Sequence, residues 1–216
     1  VLEGALPAYL CNLRDQYSNF LDGIITDDIV LHQEMEAYLK EYQPEDINKL
    51  KLYSDELPLK VLYSFEQRLK EALQKKVWLK SGATLVIEPT EALTVIDVNT
   101  GKAVKGRAQG EEHFLEINLE AAREIASQIR LRNLSGIILV DFIDMEREES
   151  DAVLLRALKE YLSADPVKTT LVDMTPLHLV EITRKKVRRP LHEEGFERIL
   201  GNGKNECDAS ACAGGD

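Results

Sequence analysis

The most constraining feature of this sequence is a near-continuous apolar run, Gly136–Ile143 (GIILVDFI). Such a run without polar alternation is typical of a strand that is covered on both faces. Two earlier stretches, Thr84–Glu88 and Leu93–Val98, are rich in β-branched residues and are separated by a short turn, which predicts a hairpin. We therefore expect Gly136–Ile143 to be a central strand of a sheet.

Apolar residues at helical spacing predict helices on either side of this strand. Phe114–Leu131 and Glu148–Leu162 each carry one apolar stripe. Thr169–Val172 predicts a further strand, and Leu177–Arg184 suits either a last strand or a short helix, of which we take the strand. The order strand, strand, helix, strand, helix, strand predicts an α/β fold with a mixed sheet.

Three segments differ in character along the chain. Residues 1–76 are predicted to be mostly helical, because Leu31–Tyr42 and Leu59–Leu73 place apolar residues on one helical face, and we expect both faces to pack in a core. Residues 77–192 form the α/β domain, and residues 193–216, rich in Gly, Asn and Ala, form a flexible tail. The chain begins with valine, which suggests a piece of a longer protein.

Side chains with oxygen atoms lie at the ends of two of the predicted strands. Asp97 and Asn99 lie two residues apart and so point to the same face, while Asp141 follows four apolar residues and precedes Asp144 by three. If the two strands are neighbours, two carboxylates and an amide converge, a ligand set that suits Mg²⁺ with its waters and a phosphate oxygen. The alternative is that Asp97 and Asp144 only cap the loops after these strands, as Asp and Asn often do.

A basic run lies near the end of the α/β region. It places five cations in six residues, namely Arg184, Lys185, Lys186, Arg188 and Arg189. The net charge of −11 argues against binding nucleic acid by bulk charge, but it allows a local phosphate-binding strip. The alternative is a solvated charged surface. A metal site and a phosphate-binding strip together point to phosphodiester hydrolysis.

Other chemistries are disfavoured by missing motifs. The sequence has no Walker loop, GxGxxG or GxSxG motif, and its four histidines lack metal-ligand spacing. No apolar run reaches the roughly 18 residues that a membrane-spanning helix needs, so we expect no membrane association. Three cysteines are too few for a disulfide framework and fit a reducing cytoplasm.

Several blocks of this sequence resemble the catalytic core of the bacterial ribonuclease E/G family. The resemblance runs from Leu52 to Leu191 and implies a deoxyribonuclease-I-like catalytic subdomain with an RNase H-like N-terminal part. The blocks follow the family's order: Trp78–Gly82 (WLKSG), Glu91–Gly101 (EALTVIDVNTG), Asn118–Ala122 (NLEAA), Arg130–Arg132 (RLR), Gly136–Met145 (GIILVDFIDM) and Glu181–Lys186 (EITRKK).

The resemblance also implies an activity. It points to an endoribonuclease of rRNA processing and mRNA decay that uses Mg²⁺ to cut single-stranded RNA, leaving 5′-phosphate and 3′-hydroxyl ends. The family's metal aspartates match Asp97 and Asp141, its supporting asparagine matches Asn99, and Asp144 belongs to the motif as a supporting or capping residue. A second basic segment is the glycine-rich loop Gly101–Gly110 (GKAVKGRAQG). We expect RNA phosphates to contact the basic run and this loop, through Lys102, Lys105, Arg107, Arg184, Lys185, Lys186, Arg188 and Arg189.

The sequence departs from the family's pattern in three places. Lys60 stands where an aromatic is usual, and nothing resembles the small OB-fold domain or most of the 5′-end sensor. The family's Cys-Pro-x-Cys zinc link joins two subunits, but Cys207 and Cys212 lack its spacing and its proline. We therefore expect Mg²⁺ and no zinc, and we leave a homodimer open.

Two other functions compete with hydrolysis. One is an RNA-binding or scaffolding module without catalysis, against which the retention of Asp97, Asn99 and Asp141 speaks. The other is a signalling domain of receiver type, in which aspartates at strand ends hold Mg²⁺ and a phosphoryl group. The predicted opening hairpin argues against that all-parallel fold.

Overall fold

A computed structural model describes residues 7–15, 22–101 and 110–193. These residues form two compact units, and the chain passes from the first to the second between Glu71 and Ala72. The second unit thus begins close to residue 77, where the sequence predicts the α/β domain. The assignment of domain identities to 1–76, 77–192 and 193–216 stays a prediction.

The first unit combines helices with a small sheet. Its core contains Leu10, Leu13, Ile24, Tyr38 and Leu39. Two short strands pair in parallel, a sheet that the sequence did not predict. The elements are α1 (Ala8–Asp15), β1 (Ile24–Thr26), α2 (Ile29–Tyr42), a 3₁₀ helix (Pro44–Lys49), β2 (Leu50–Leu52), α3 (Leu59–Leu62) and α4 (Phe65–Ala72).

The predicted helix Leu59–Leu73 is wrong in one respect, because the chain breaks it into α3 and α4. Ser64 lies between them with a φ of 49°, in the left-handed region that ends a right-handed helix. The break also overturns the predicted core face, since Val61 and Phe65 are exposed although Leu69 is buried.

The second unit is built on a mixed six-stranded sheet in the order β3-β4-β5-β6-β8-β7. Only β5 and β6 pair in parallel. The predicted α/β class with a mixed sheet is therefore confirmed. The strands are β3 (Lys76–Trp78), β4 (Thr84–Pro89), β5 (Leu93–Asn99), β6 (Gly136–Asp141), β7 (Thr169–Met174) and β8 (Leu179–Arg184), and the helices are α5 (Glu111–Leu131) and α6 (Glu148–Ser163).

Both helices pack on one face of this sheet. Ile138 and Val140 of β6 and Ile182 of β8 are fully buried there, in one core with Ile125 of α5 and Leu158 of α6. The opposite side, which we call the open face, exposes the alternate residues of the same strands, such as Val95 and Ile137.

The open face corrects one prediction for the central strand. β6 is central, yet Ile137 is 49% exposed, so the apolar run is covered on one face only. The strand also ends at Asp141 and not at Ile143. The predicted strand at Leu177–Arg184 is confirmed as β8, whereas β3 at the sheet edge was not predicted. None of the helices in the described ranges has the length and apolar character that crossing a bilayer demands.

Candidate functional site

Asp97 and Asp141 lie side by side where two parallel strands end. They are register partners of β5 and β6, so their side chains stand on the same face of the sheet, the open face. Asn99 is two residues beyond Asp97 on that face, and its Nδ2 donates a hydrogen bond of 2.6 Å to Oδ2 of Asp97. The structure therefore brings together the three residues that the sequence singled out.

Negative charge is concentrated at this point. Partial burial raises the pKa of Asp141, and the nearby carboxylates of Asp97 and Asp144 raise it further. These groups repel one another when ionised, since a like charge within a few ångströms disfavours the charged form. A divalent cation placed among them would relieve the repulsion.

The loop after β6 is fixed by two side chains of α5. Asn118 is fully buried, donates from Nδ2 to the Ile143 carbonyl at 2.8 Å and accepts from the Ile143 N–H at 3.1 Å. The Glu111 carboxylate accepts the backbone N–H groups of Glu146 and Arg147, and these bonds, with one from Ser150, lower the pKa of Glu111. This loop carries Asp144, so α5 sets where that carboxylate stands.

The chain leaving β5 is packed closely against the β3–β4 turn. Gly101 has a φ of 56°, and a Cβ at this position would lie 2.7 Å from the carbonyl oxygen of Gly82. The turn itself is held by Glu120 of α5, which accepts the backbone N–H groups of Lys80 and Ser81. Glycine is required at Gly101, and the close approach fixes the end of the strand that bears Asn99.

A second acidic group lies beyond Asp144. Burial raises the pKa of Asp151 while His178 opposes the rise, and Asp144 is among the carboxylates that add to it. His178 Nδ1 is 3.9 Å from Asp151 Oδ2. His178 directly precedes Leu179, the register partner of Asp141 on β8. His178 is one of the four histidines that lack metal-ligand spacing, so no sequence motif links it to these acids.

The basic run divides into one buried cation and several exposed ones. Arg184 is 6% exposed and forms an ion pair with Asp165, at 2.7 Å from Nε to Oδ2. It also donates from Nη1 to Asn133 Oδ1 and to the Leu134 carbonyl. The prediction that Arg184 contacts RNA is therefore wrong, because the inward face of β8 buries its guanidinium group.

The remaining predicted RNA contacts fall into two groups. Lys185, Lys186, Arg188 and Arg189 are exposed after the end of β8. Lys102, Lys105 and Arg107 lie outside the described residues, as do Cys207 and Cys212. The binding roles of all these residues stay predictions.

The acidic site is small by the standards of protein metal centres. Among residues 7–15, 22–101 and 110–193, no group of three or more His, Cys, Asp or Glu side chains is arranged to hold a metal ion. The site instead offers two carboxylates and one amide. Mg²⁺ is commonly bound through one or two carboxylates, with waters and substrate phosphates as the other ligands. The set fits that ion, and its role as a ligand set stays a prediction.

The fold and the site define an α/β protein with paired aspartates at the ends of adjacent strands on an open sheet face. Residues 2–187 match the sequence profile of the Ribonuclease E/G family, and the chain belongs to this family.

Individual relatives agree with the family assignment. The chain is similar to Ribonuclease G of Salmonella typhimurium, with 42% identity over 195 residues, which are 90% of this chain and 38% of the relative. Ribonuclease G of Escherichia coli is 40% identical over 195 residues, which are again 90% of this chain and 38% of the relative. Ribonuclease E of Nostoc sp. is 37% identical over 185 residues, 84% of this chain and 27% of the relative. The chain thus spans less than two fifths of the length of these relatives.

Proposed function

We propose that this chain carries the catalytic centre of a Mg²⁺-dependent endoribonuclease, which cuts single-stranded RNA to 5′-phosphate and 3′-hydroxyl products in RNA processing and decay. The main observation behind this proposal is that Asp97 and Asp141 are register partners on β5 and β6. Asn99 also donates a hydrogen bond to Asp97. Membership of the Ribonuclease E/G family supports the same reaction class.

In this proposal, each side chain of the acidic site has a separate role. When bound, Mg²⁺ supplies Lewis-acid polarisation of a phosphoryl oxygen and lowers the pKa of a coordinated water. Asp97 and Asp141 would hold the ion, and Asn99 orients Asp97 through its hydrogen bond. Asp144 stands close enough to Asp141 to raise its pKa, and we assign it a supporting role.

RNA binding is assigned to exposed cations. Lys185, Lys186, Arg188 and Arg189 are exposed on the strip after β8 and suit contacts to phosphates, which fix a strand without reading its sequence. Lys102, Lys105 and Arg107 belong to the same proposal on their sequence alone. Arg184 is excluded from it because its guanidinium is already paired with Asp165.

Cleavage of a short 5′-monophosphorylated, A/U-rich single-stranded RNA tests the proposal. The chain is compared with Asp141→Asn, each with Mg²⁺ and with chelator, and Asp173→Asn serves as a control because Asp173 is an exposed aspartate of edge strand β7. We expect cutting that requires Mg²⁺, survives Asp173→Asn and is lost in Asp141→Asn. Equal rates in the chain and in Asp141→Asn would contradict the assignment.

One competing function is a binding module without catalysis. Its specific support is the exposed strip of Lys185, Lys186, Arg188 and Arg189, which suits phosphate binding without any metal ion. RNA bound without any cleavage under the conditions above would favour it. A cytoplasmic location and a homodimer stay predictions.

A further inference from the structure

Edge strand β3 presents an aromatic ring and a cation on the open face. Trp78 is the only tryptophan of the chain and is 63% exposed. The Nζ atom of Lys76 lies 4.5 Å from the centroid of its ring, a cation–π contact. Neighbouring Lys75 is engaged differently, in an ion pair with Glu88 of β4.

The strand register connects this pair with the acidic site. Trp78 is the partner of Thr84, and Thr84 is the partner of Asn99. Register partners stand on the same face of a sheet, so Trp78 and Asn99 share the open face. Two strand spacings of about 4.8 Å place the backbones of these residues roughly 10 Å apart.

A second row of the sheet runs parallel to the first. Lys76 is the partner of Val86, Val86 of Asp97, and Asp97 of Asp141. Lys76 is therefore as far from Asp97 along its row as Trp78 is from Asn99. The ring and the cation therefore lie on the same face as the two aspartates, with one strand, β4, between them and Asp97.

The chemistry of this pair suits one kind of ligand. An exposed indole offers a flat apolar surface on which any base can stack, and a lysine beside it attracts phosphate. A base within a duplex already stacks on its neighbours, whereas an unpaired base is free to stack on protein. Lysine on an edge strand also protects the edge from pairing, but that role does not require an exposed ring beside it.

We propose that Trp78 and Lys76 form a stacking subsite for an unpaired base close to the phosphate that is cut. This proposal rests on the proposed endoribonuclease function and adds a source of its preference for single-stranded RNA. The subsite lies on the same sheet as Asp97 and Asp141, so it would position the RNA strand relative to these two aspartates.

Fluorescence of the single tryptophan tests the subsite without any cleavage. A dye-free single-stranded RNA is titrated into the chain in chelator, and the same oligomer carrying a dye reports total binding by anisotropy. We expect saturable quenching of Trp78 by the single strand, little quenching by the matching duplex, and none by inorganic polyphosphate, which carries charge without bases.

Variants complete the test. Trp78→Ala should weaken single-strand binding by about ten- to hundredfold, the range found for loss of one stacked base. Tyr161→Leu is the matched control. Tyr161 also forms a cation–π pair, with Arg123, but it lies on the helices that cover the opposite face of the sheet. It should leave the affinity unchanged.

The outcomes separate the two proposals. The subsite is overturned if RNA binds tightly without changing Trp78 fluorescence and if Trp78→Ala binds RNA with the same affinity as the unaltered chain. That result leaves the endoribonuclease proposal standing. Equal quenching by polyphosphate and by RNA also overturns it, because charge alone would then explain the signal. No RNA binding by anisotropy overturns both. Quenching with no Mg²⁺-dependent cleavage supports the subsite and contradicts the catalytic assignment.

Discussion

Arg184 and Asp165 form an ion pair that is almost fully enclosed, with side-chain exposures of 4% and 1%. The guanidinium binds both carboxylate oxygens and also reaches Asn133. The first cation of the basic run, Arg184, therefore links β8 to the segment after α6.

Replacing Arg184 by methionine should destabilise the second unit strongly. Removing one partner of a buried pair leaves the other charge uncompensated, which costs about 3–5 kcal/mol. Chemical denaturation monitored by circular dichroism measures this loss. The same change at exposed Lys186 is the control and should cost under about 0.5 kcal/mol. Similar losses in the two variants would show that Arg184 is not structural.

The pair should also make stability depend on acid. Burial alone would raise the pKa of Asp165, but its bonds from Arg184, Val167 and Thr169 outweigh burial and hold the pKa below its ordinary value. A carboxyl with a lowered folded-state pKa contributes stability above its unfolded pKa of about 3.9, and this contribution is lost as pH falls through the folded value. NMR titration of the Asp165 carboxyl should give a midpoint below 3.9, and a midpoint above it would contradict the pairing.

Gly101→Ala should disturb the end of β5. The left-handed conformation costs a residue with a Cβ about 1–2 kcal/mol, and the new Cβ meets the Gly82 carbonyl at 2.7 Å. We expect a lower unfolding free energy and slower RNA cleavage, because Asn99 lies two residues away. Gly110→Ala is the control, since a Cβ there meets nothing within 4 Å. Loss of cleavage in both variants alike would argue against the close approach as the cause.

Asn118→Leu should release the loop that carries Asp144. The change leaves the N–H and C=O groups of Ile143 without their partners, which costs about 1–3 kcal/mol for each buried group that stays unpaired. Amide hydrogen exchange at Ile143 should become faster. Glu116→Leu on the same helix is the control, because the Glu116 side chain is 79% exposed. Unchanged exchange in Asn118→Leu would show that other contacts hold this loop.

The sequence predicted the sheet well because alternation and β-branching reflect local packing. It indicated that Asp97 and Asp141 would meet if their strands were neighbours, and β5 and β6 do pair. It could not indicate that β6 is covered on one side only, because Ile137 is as apolar as the buried Ile138. The sequence also could not indicate that Arg184 is buried and paired with Asp165. Its partner Asp165 is 19 residues away and becomes adjacent only when β8 folds against β6 and β7.

The subsite on β3 escaped prediction for a related reason. Lys76–Trp78 is only three residues long, too short for a periodic pattern. Its position beside the aspartates depends on the register of two strand pairings, which the sequence did not specify. In the sequence, Trp78 is distinguished only as part of a family motif, Trp78–Gly82 (WLKSG).

The proposed catalytic centre requires Asp97 and Asp141 to hold one divalent cation between β5 and β6. Mn²⁺ prefers the same oxygen ligands as Mg²⁺, and its electron paramagnetic resonance signal measures free ion directly, without RNA. We expect one saturable Mn²⁺ site in the chain, which is retained in Asp173→Asn and lost or greatly weakened in both Asp97→Asn and Asp141→Asn. Binding of the same number of ions with the same affinity in all four proteins would contradict it.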